Sequence, residues 1–431
     1  MKAPPVITLA LVLAAALCIP APADDTTAPI KLVTTETFLA AIHTGNLTGS
    51  PYMVASPDNR HEAHPVGRFA KGMVMALDGQ AYGPTLQGFY DSTITWTPDS
   101  KRLAYIAGAP QKGARKSVVL DGVEQKQYDG IAVPLVFSPD SKRFAYLAKK
   151  GKRWLAVADG VEGKEYDQVV GPIAFDAEGK RIAYTAMAGG KWFVVTDGQD
   201  GTERYDIAVS PVFSPDGARL AYVASSEDKR FVVLDGVRQK DYEDIVYTSL
   251  TFSPDGKHYC YAAKRDQPVS LVADGIEGKA YDAISYPVYS PDSSRLAYCG
   301  THDGKAMVVL DGAAGAEYDK VGWLAFSPDS RRLAYVATVG DKRVVVADGI
   351  AGPQYDGAMA PAFSPDSKRL AYIAAPSKDK MVLVVDGVET KPYDSIFWGT
   401  RPVWDAPDRL HALMRLGPDL DAYVVDVQIG E

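Results

Sequence analysis

The residues of this 431-residue chain whose types could do chemistry are six histidines, three cysteines and a recurring set of carboxylates. His61, Glu62 and His64 form a His-Glu-Ala-His phrase. A zinc-binding helix of the His-Glu-x-x-His kind needs its histidines one helical turn apart, and this spacing is one residue short. The phrase is expected in a surface loop next to a strand. His258, His302 and His411 fall in separate stretches and are expected as solvated or strand residues. No Gly-x-Ser-x-Gly elbow occurs and no acid–base pair stands out, so no residue is named as catalytic. No metal and no cofactor is expected.

The carboxylates are more regular. They recur in three settings: Ser-Pro-Asp, Asp-Gly and Tyr-Asp. Calcium is a tempting reading, but it takes about 6–8 clustered oxygens and each tight turn here offers one side chain. Turn chemistry explains the acids better. Pro presets φ, Asp bonds backbone amides two residues on, and Asp-Gly is a hairpin signal.

These acids punctuate a repeat. Phe137-Ser138-Pro139-Asp140 is followed by Arg143-Phe144-Ala145-Tyr146, and Phe326-Ser327-Pro328-Asp329 by Arg332-Leu333-Ala334-Tyr335. From Asp58 through Asp99, Asp140, Glu178, Asp216, Asp255, Asp292, Asp329 and Asp366, the intervals are 41, 41, 38, 38, 39, 37, 37 and 37 residues. Each period reads as four short strands: the run before Ser-Pro-Asp, the Arg-Leu-Ala-Tyr run, the run before Asp-Gly, and the segment around Tyr-Asp. No helical period is present. One four-stranded sheet cannot bury both faces alone, so the units must stack. The fold expected is an all-β propeller of four-stranded antiparallel blades. Nine continuous units and one unit split between the termini give ten blades. Two five-bladed rings are an alternative, though the even spacing leaves no linker between halves.

The repeat absorbs most of the 24 tyrosines. On strand two, Phe144, Tyr146 and Ala148 share one parity, Ala145 and Leu147 the other, so large Tyr is expected over small Ala of the next blade. Cys260 and Cys299 fall on strand two of neighbouring blades with equal parity. They should not face each other and are expected as two separate thiols.

Positions that break the repeat are the functional candidates. The connection from strand four to strand one is expected to cross towards the channel, and it carries Val133, Gly171, Ser210, Tyr247, Tyr286, Trp323 and Trp398-Gly399-Thr400-Arg401. Tyr247, Tyr286, Trp323, Trp398 and Arg401 are therefore expected at the channel rim as ligand-binding residues. Channel packing is the competing reading. Basic residues of the loops between strands two and three (Lys152, Arg153, Lys229, Arg230, Lys342 and Arg343 among them) are placed at the same end, where an anion would be attracted or the charge simply solvated.

The N-terminus has Lys2, an apolar run from Val6 to Leu17 and Ala21-Pro22-Ala23, the layout of a cleaved export signal. The run is too short for an ordinary membrane-spanning helix. Cys18 is a weaker lipoprotein candidate, because Leu17 stands where a small residue is needed. The division expected is 1–23 signal, 24–50 N-terminal segment and 51–431 propeller. At 46% hydrophobic and 23% charged residues the chain is not a disordered one. A net charge of −8 argues against nucleic acid. Asn46-Leu47-Thr48 is a glycosylation sequon, relevant in a eukaryotic secretory host.

The aromatic-Ser-Pro-Asp-(Gly/Ser)-Lys-Arg-Leu-Ala-Tyr phrase resembles the WD-like repeats of TolB-type periplasmic propellers, and looks like propeller repeats attached to some peptidases. The likeness spans nearly all of the chain after the signal. The chain departs from TolB in having about 30 residues between the signal and the first repeat, too few for the α/β domain that precedes that propeller, and in its higher repeat number. The resemblance implies a periplasmic or secreted propeller. The function expected is binding or scaffolding of a protein, peptide or glycan partner by a monomer without a transmembrane segment. The alternative is a lyase, hydrolase or dehydrogenase working at the channel mouth.

Overall fold

The computed structural model describes residues 30–40, 54–68, 72–88, 90, 93–109, 111, 113–265, 268–417 and 421–430. The export signal, Cys18, Asn46-Leu47-Thr48 and Tyr52 lie outside the described residues. Among the described residues no helix is long and apolar enough to cross a membrane.

The third sheet serves as the pattern. Its strands a to d are Gly130–Phe137, Phe144–Lys150, Arg153–Ala158 and Val161–Glu162, antiparallel and adjacent in that order. Nine sheets are built this way from consecutive chain. The tenth takes Ser395–Ile396, Val403–Ala406, Arg409–Leu416 and Asp421–Gly430 from the C-terminal stretch and its outer strand, Lys31–Ala40, from the N-terminal one. Lys31 lies opposite Gly430 and Ala40 opposite Ala422. Each sheet packs on the next. Blade 5 buries Val223 and Val232 with Tyr242, Tyr259 and Tyr261 at its junction with blade 6, so the ring does not divide at its midpoint. Blade 10 meets blade 1 through a parallel bridge between Trp398 and Val54. The protein is one ten-bladed β-propeller.

The turns explain the repeated acids. Ser138 Oγ donates to Asp140 Oδ1 (2.6 Å) and accepts from Arg143 N (2.9 Å), while Asp140 Oδ1 accepts from Lys142 N (3.2 Å). The next residue is left-handed, Ser141 at φ 63° or Gly179 at φ 67° in the following blade. Where it is Ser, its hydroxyl accepts the turn amide of the preceding blade: Asp99 N to Ser141 Oγ and Asp329 N to Ser367 Oγ, both 3.0 Å. Where it is Gly, a Cβ would lie 2.7 Å from Asp140 Oδ1. The Asp159-Gly160 hairpin is left-handed at both residues, as a type I′ turn requires.

Arginine fastens the turns together. Arg143 donates through Nε to Asp159 (2.8 Å) and through Nη1 to the Gly179 carbonyl of the next blade (2.9 Å), and covers the Phe175 ring of that blade. In blades 1 and 6 histidine holds this place. His61 Nδ1 meets Asp78 and His258 Nδ1 meets Asp274, each at 2.7 Å, and His61 stacks on Trp96 of blade 2.

The blade faces follow the parity of strand b. Phe144, Tyr146 and Ala148 pack on Ala104, Ile106 and Val118 of blade 2, whereas Ala145 and Leu147 pack on Ile182 and Tyr184 of blade 4. Tyr128, closing the outer strand of blade 2, meets Tyr146 of blade 3 edge to face at 6.1 Å and donates its hydroxyl to Glu162 (2.9 Å). The same ring pair recurs as Tyr166–Tyr184, Tyr242–Tyr261 and Tyr355–Tyr372.

Two outcomes follow. Arg332 repeats the arginine geometry, with Nε to Asp348 (2.8 Å), Nη1 to the Lys368 carbonyl (2.8 Å) and its guanidinium over Phe363. Arg332→Ala should lower the stability measured by chemical denaturation by about 1–2 kcal/mol, since it leaves the partially solvated Asp348 behind. The turn acids also set an acid limit. Hydrogen bonds from the Ser138 and Ser253 hydroxyls, with the neighbouring lysines, hold Asp140 and Asp255 down to about 2. A carboxyl lowered on folding favours the folded state above its unfolded pKa of about 3.9 and loses that contribution as pH falls through the folded value. The thermal midpoint should therefore fall as pH drops from about 4 to 2, and less steeply in Asp140→Asn.

Candidate functional site

Strand a of blades 3 to 9 breaks its pairing in the middle. The register slips between Ala132 and Val136, Val246 and Thr251, Ser285 and Val288, Gly322 and Ala325, and Met359 and Ala362. A bulge turns the extra residue away from the sheet. Strand a is the inner edge of each blade, where the first strands of neighbouring blades meet one another.

Tyr247, Tyr286 and Trp323 occupy these bulges, within Asp244–Phe252, Ala283–Tyr289 and Lys320–Phe326. They stand within the inner strand itself and not in the connection before it. Blades 6, 7 and 8 are consecutive, so the three rings stand in neighbouring blades. Trp398 follows two blades on, in the turn after Ser395–Ile396. The rings are open to solvent: Tyr247 is 52% exposed, Tyr286 66%, Trp323 57% and Trp398 80%.

Backbone strain marks two of them. Tyr286 has φ 53° and Trp323 φ 56°, in a slot that Gly171, Ser210 and Ala360 fill in other blades at φ 83°, 53° and 52°. The left-handed conformation costs a residue with a Cβ roughly 1–2 kcal/mol. An aromatic there is the least comfortable choice, and its ring is not repaid by burial.

Arg401 is placed differently. Its amide donates to Asn59 Oδ1 (3.2 Å) and its Nη2 to the Pro57 carbonyl (3.3 Å), both in the first Ser-Pro-Asp turn. It ties blade 10 to blade 1.

The basic loops carry less free charge than the sequence implies. Arg153 pairs with Asp167, Arg230 with Asp244, Lys305 with Asp319 and Lys342 with Asp356. The Asp of Tyr-Asp also caps the turn between strands b and c: Asp319 Oδ2 accepts from Gly340 N at 2.7 Å and Asp167 Oδ2 from Gly189 N at 2.8 Å.

Sequence reasoning misplaced the His-Glu-Ala-His phrase. It lies on strand b of blade 1, Glu62–Arg68, and Glu62 and His64 are buried, not in a surface loop. Glu62 stands in the Leu slot of Arg-Leu-Ala-Tyr and His64 in the Tyr slot. Aligning the phrase on the repeat would have exposed this. His64 Nδ1 meets Glu62 Oε2 at 2.6 Å, and Glu62 Oε1 accepts from Gly79 N at 3.1 Å. His411 is buried as well, between Asp405 Oδ2 (2.8 Å) and the Asp58 carbonyl (2.6 Å). Asp405, His411 and Asp426 converge closely enough to hold a cation, but Arg60 already supplies one, 3.2 Å from Asp405 and 3.8 Å from Asp426.

Cys260 and Cys299 are free and buried. Burial pushes both thiols up to about 12. Both should resist alkylation in the folded protein near pH 8 and react fully in denaturant without reductant, as read by mass spectrometry.

No family model matches the chain, and no curated protein matches it. Similar solved structures include a eukaryotic initiation factor at 10% identity, covering 80% of this chain and 96% of that one with a TM-score of 0.47. The Dos1 propeller is 11% identical over 68% of this chain and 89% of its own, with a TM-score of 0.40. TolB from Acinetobacter baumannii is 14% identical over 70% and 77%, with a TM-score of 0.31. The propeller assignment rests on the sheets and their ring closure.

Proposed function

We propose that this protein is an exported β-propeller that binds or scaffolds a protein, peptide or glycan partner through an aromatic arc in its channel. The observation that carries the reading is the pair Tyr286 and Trp323: exposed aromatic rings held on left-handed backbone where other blades use Gly, Ser or Ala. Strain of this kind persists where the surroundings enforce it, and it concentrates at ligand clamps. Tyr247 extends the arc on one side and Trp398 on the other. Large rings with few rotatable bonds lose little entropy on binding and dominate the energetics of most recognition surfaces. Export is supported by the N-terminal sequence layout.

The test uses immobilised protein and envelope extract, followed by titration of the captured partner. A Trp323→Ala/Trp398→Ala variant should bind at least about tenfold more weakly, the loss of one hot-spot contact of about 1.4 kcal/mol or more. Trp323→Gly separates binding from folding. It should weaken the partner equally while leaving thermal stability within about 1 kcal/mol of the parent, because Gly relieves the left-handed strain. Full retention of every partner by the double variant would remove the arc as the site.

A further inference from the structure

Ten hydrophobic clusters seal ten junctions, and one differs in kind. The cluster between blades 10 and 1 consists of Ala40, Ala55, Phe397, Leu413, Ala422 and Val424. Half are alanine, and among the described residues blade 1 contributes Ala55 alone. At the junction of blades 2 and 3 the same space is filled by Tyr128, Phe137, Phe144, Tyr146 and large aliphatic residues.

Charge fills what is missing. His411 of blade 10 sits in the slot where other blades place the Ala of Arg-Leu-Ala-Tyr, and it reaches the Asp58 carbonyl of blade 1. Arg60 of blade 1 reaches back to Asp405 and Asp426. Glu62 and His64 replace the Leu and Tyr that would face blade 10, and the Glu62 charge acts on the half-buried Arg415 of that blade. Two backbone amides complete the crossing: Ala55 N donates to the Trp398 carbonyl (3.1 Å) and Arg401 N to Asn59 Oδ1.

Such a seam opens more readily than its neighbours. Arg60, Asp405 and Asp426 keep part of their hydration in the closed ring, and such a pair contributes little, so parting it costs little. The buried polar Glu62 and His411 regain hydration when the seam opens. Separating an apolar junction exposes hydrocarbon at full cost. We propose that the ring opens and recloses at the blade 10–blade 1 junction, a polar latch among nine apolar seams. Trp398 belongs to both this latch and the aromatic arc, but the inference stands on the seam residues alone and holds whatever the channel binds.

Hydrogen exchange on the full chain tests it. The Ala55 and Arg401 amides should exchange at least tenfold faster than Asp292 N and Asp329 N, which make the corresponding crossings to Ser330 and Ser367 at apolar junctions. Restoring the repeat with Glu62→Leu/His64→Tyr should slow Ala55 and Arg401 at least tenfold. If that variant does not fold, Arg60→Ala should speed the same amides at least threefold, with Asp329 N unchanged. Equal exchange at all four amides in the parent, or no response at the seam to a folded variant, would overturn the proposal.

Discussion

The structure depends on one contact between neighbouring blades: a tyrosine at the end of an outer strand, packed edge to face on the tyrosine of the next blade's second strand. Seven such pairs run round the ring from Tyr128–Tyr146 to Tyr355–Tyr372. Each places two large amphipathic rings where a small four-stranded sheet has too little aliphatic surface of its own. The hydroxyl remains a hydrogen-bonding group and is buried, so it needs an acceptor. The acid on the next outer strand supplies it at Glu162, Asp200, Glu277 and Glu389. Where blade 5 has Arg238 at that position, Tyr205 turns to Tyr222. At the opposite end of the junctions that carry one, the turn arginine fastens the blades, as Arg143 does through the Gly179 carbonyl.

This packing frees one place in the inner strand. Strand a enters the core on both sides of its bulge, Ile131 before it and Leu135 and Phe137 after it, so the sheet is held at either end of the break and the residue between can vary. Gly171, Ser210 and Ala360 are undemanding choices there; Tyr286 and Trp323 are not. The exposed rings at these positions are a local departure from a repeat whose other parts are kept for packing.

Much of this was legible in the sequence. The turn acids, the Asp-Gly hairpins and the parity of Arg-Leu-Ala-Tyr are local signals repeated often enough to fix blade number, strand order and the buried role of tyrosine. The candidate rings were legible as breaks in the repeat, but their place within a strand was not. Gly171-Pro172, Ser210-Pro211, Tyr286-Pro287 and Ala360-Pro361 carry the Gly and Pro of a connection, and the same residues also mark a bulge, so Tyr247, Tyr286 and Trp323 read as connection residues although they lie within strand a. The seam was hidden for another reason. Glu62, His64 and His411 look like surface residues until they are aligned on apolar slots, and their burial depends on partners more than 340 positions away, as with Arg60 and Asp405.

Ring closure is the claim on which everything else rests. The N-terminal strand must reproduce the inter-blade contact, and it does so with Glu36, which accepts the Tyr393 hydroxyl at 2.9 Å. Burial pushes that carboxyl up, but Lys391 and Tyr393 prevail and hold it below the usual range. The most direct measurement is a double-mutant cycle of Tyr393→Phe and Glu36→Gln by equilibrium denaturation. A closed ring predicts a coupling energy of about 1 kcal/mol between residues 357 positions apart. Additive effects would contradict it, because the first strand would then not complete the last blade.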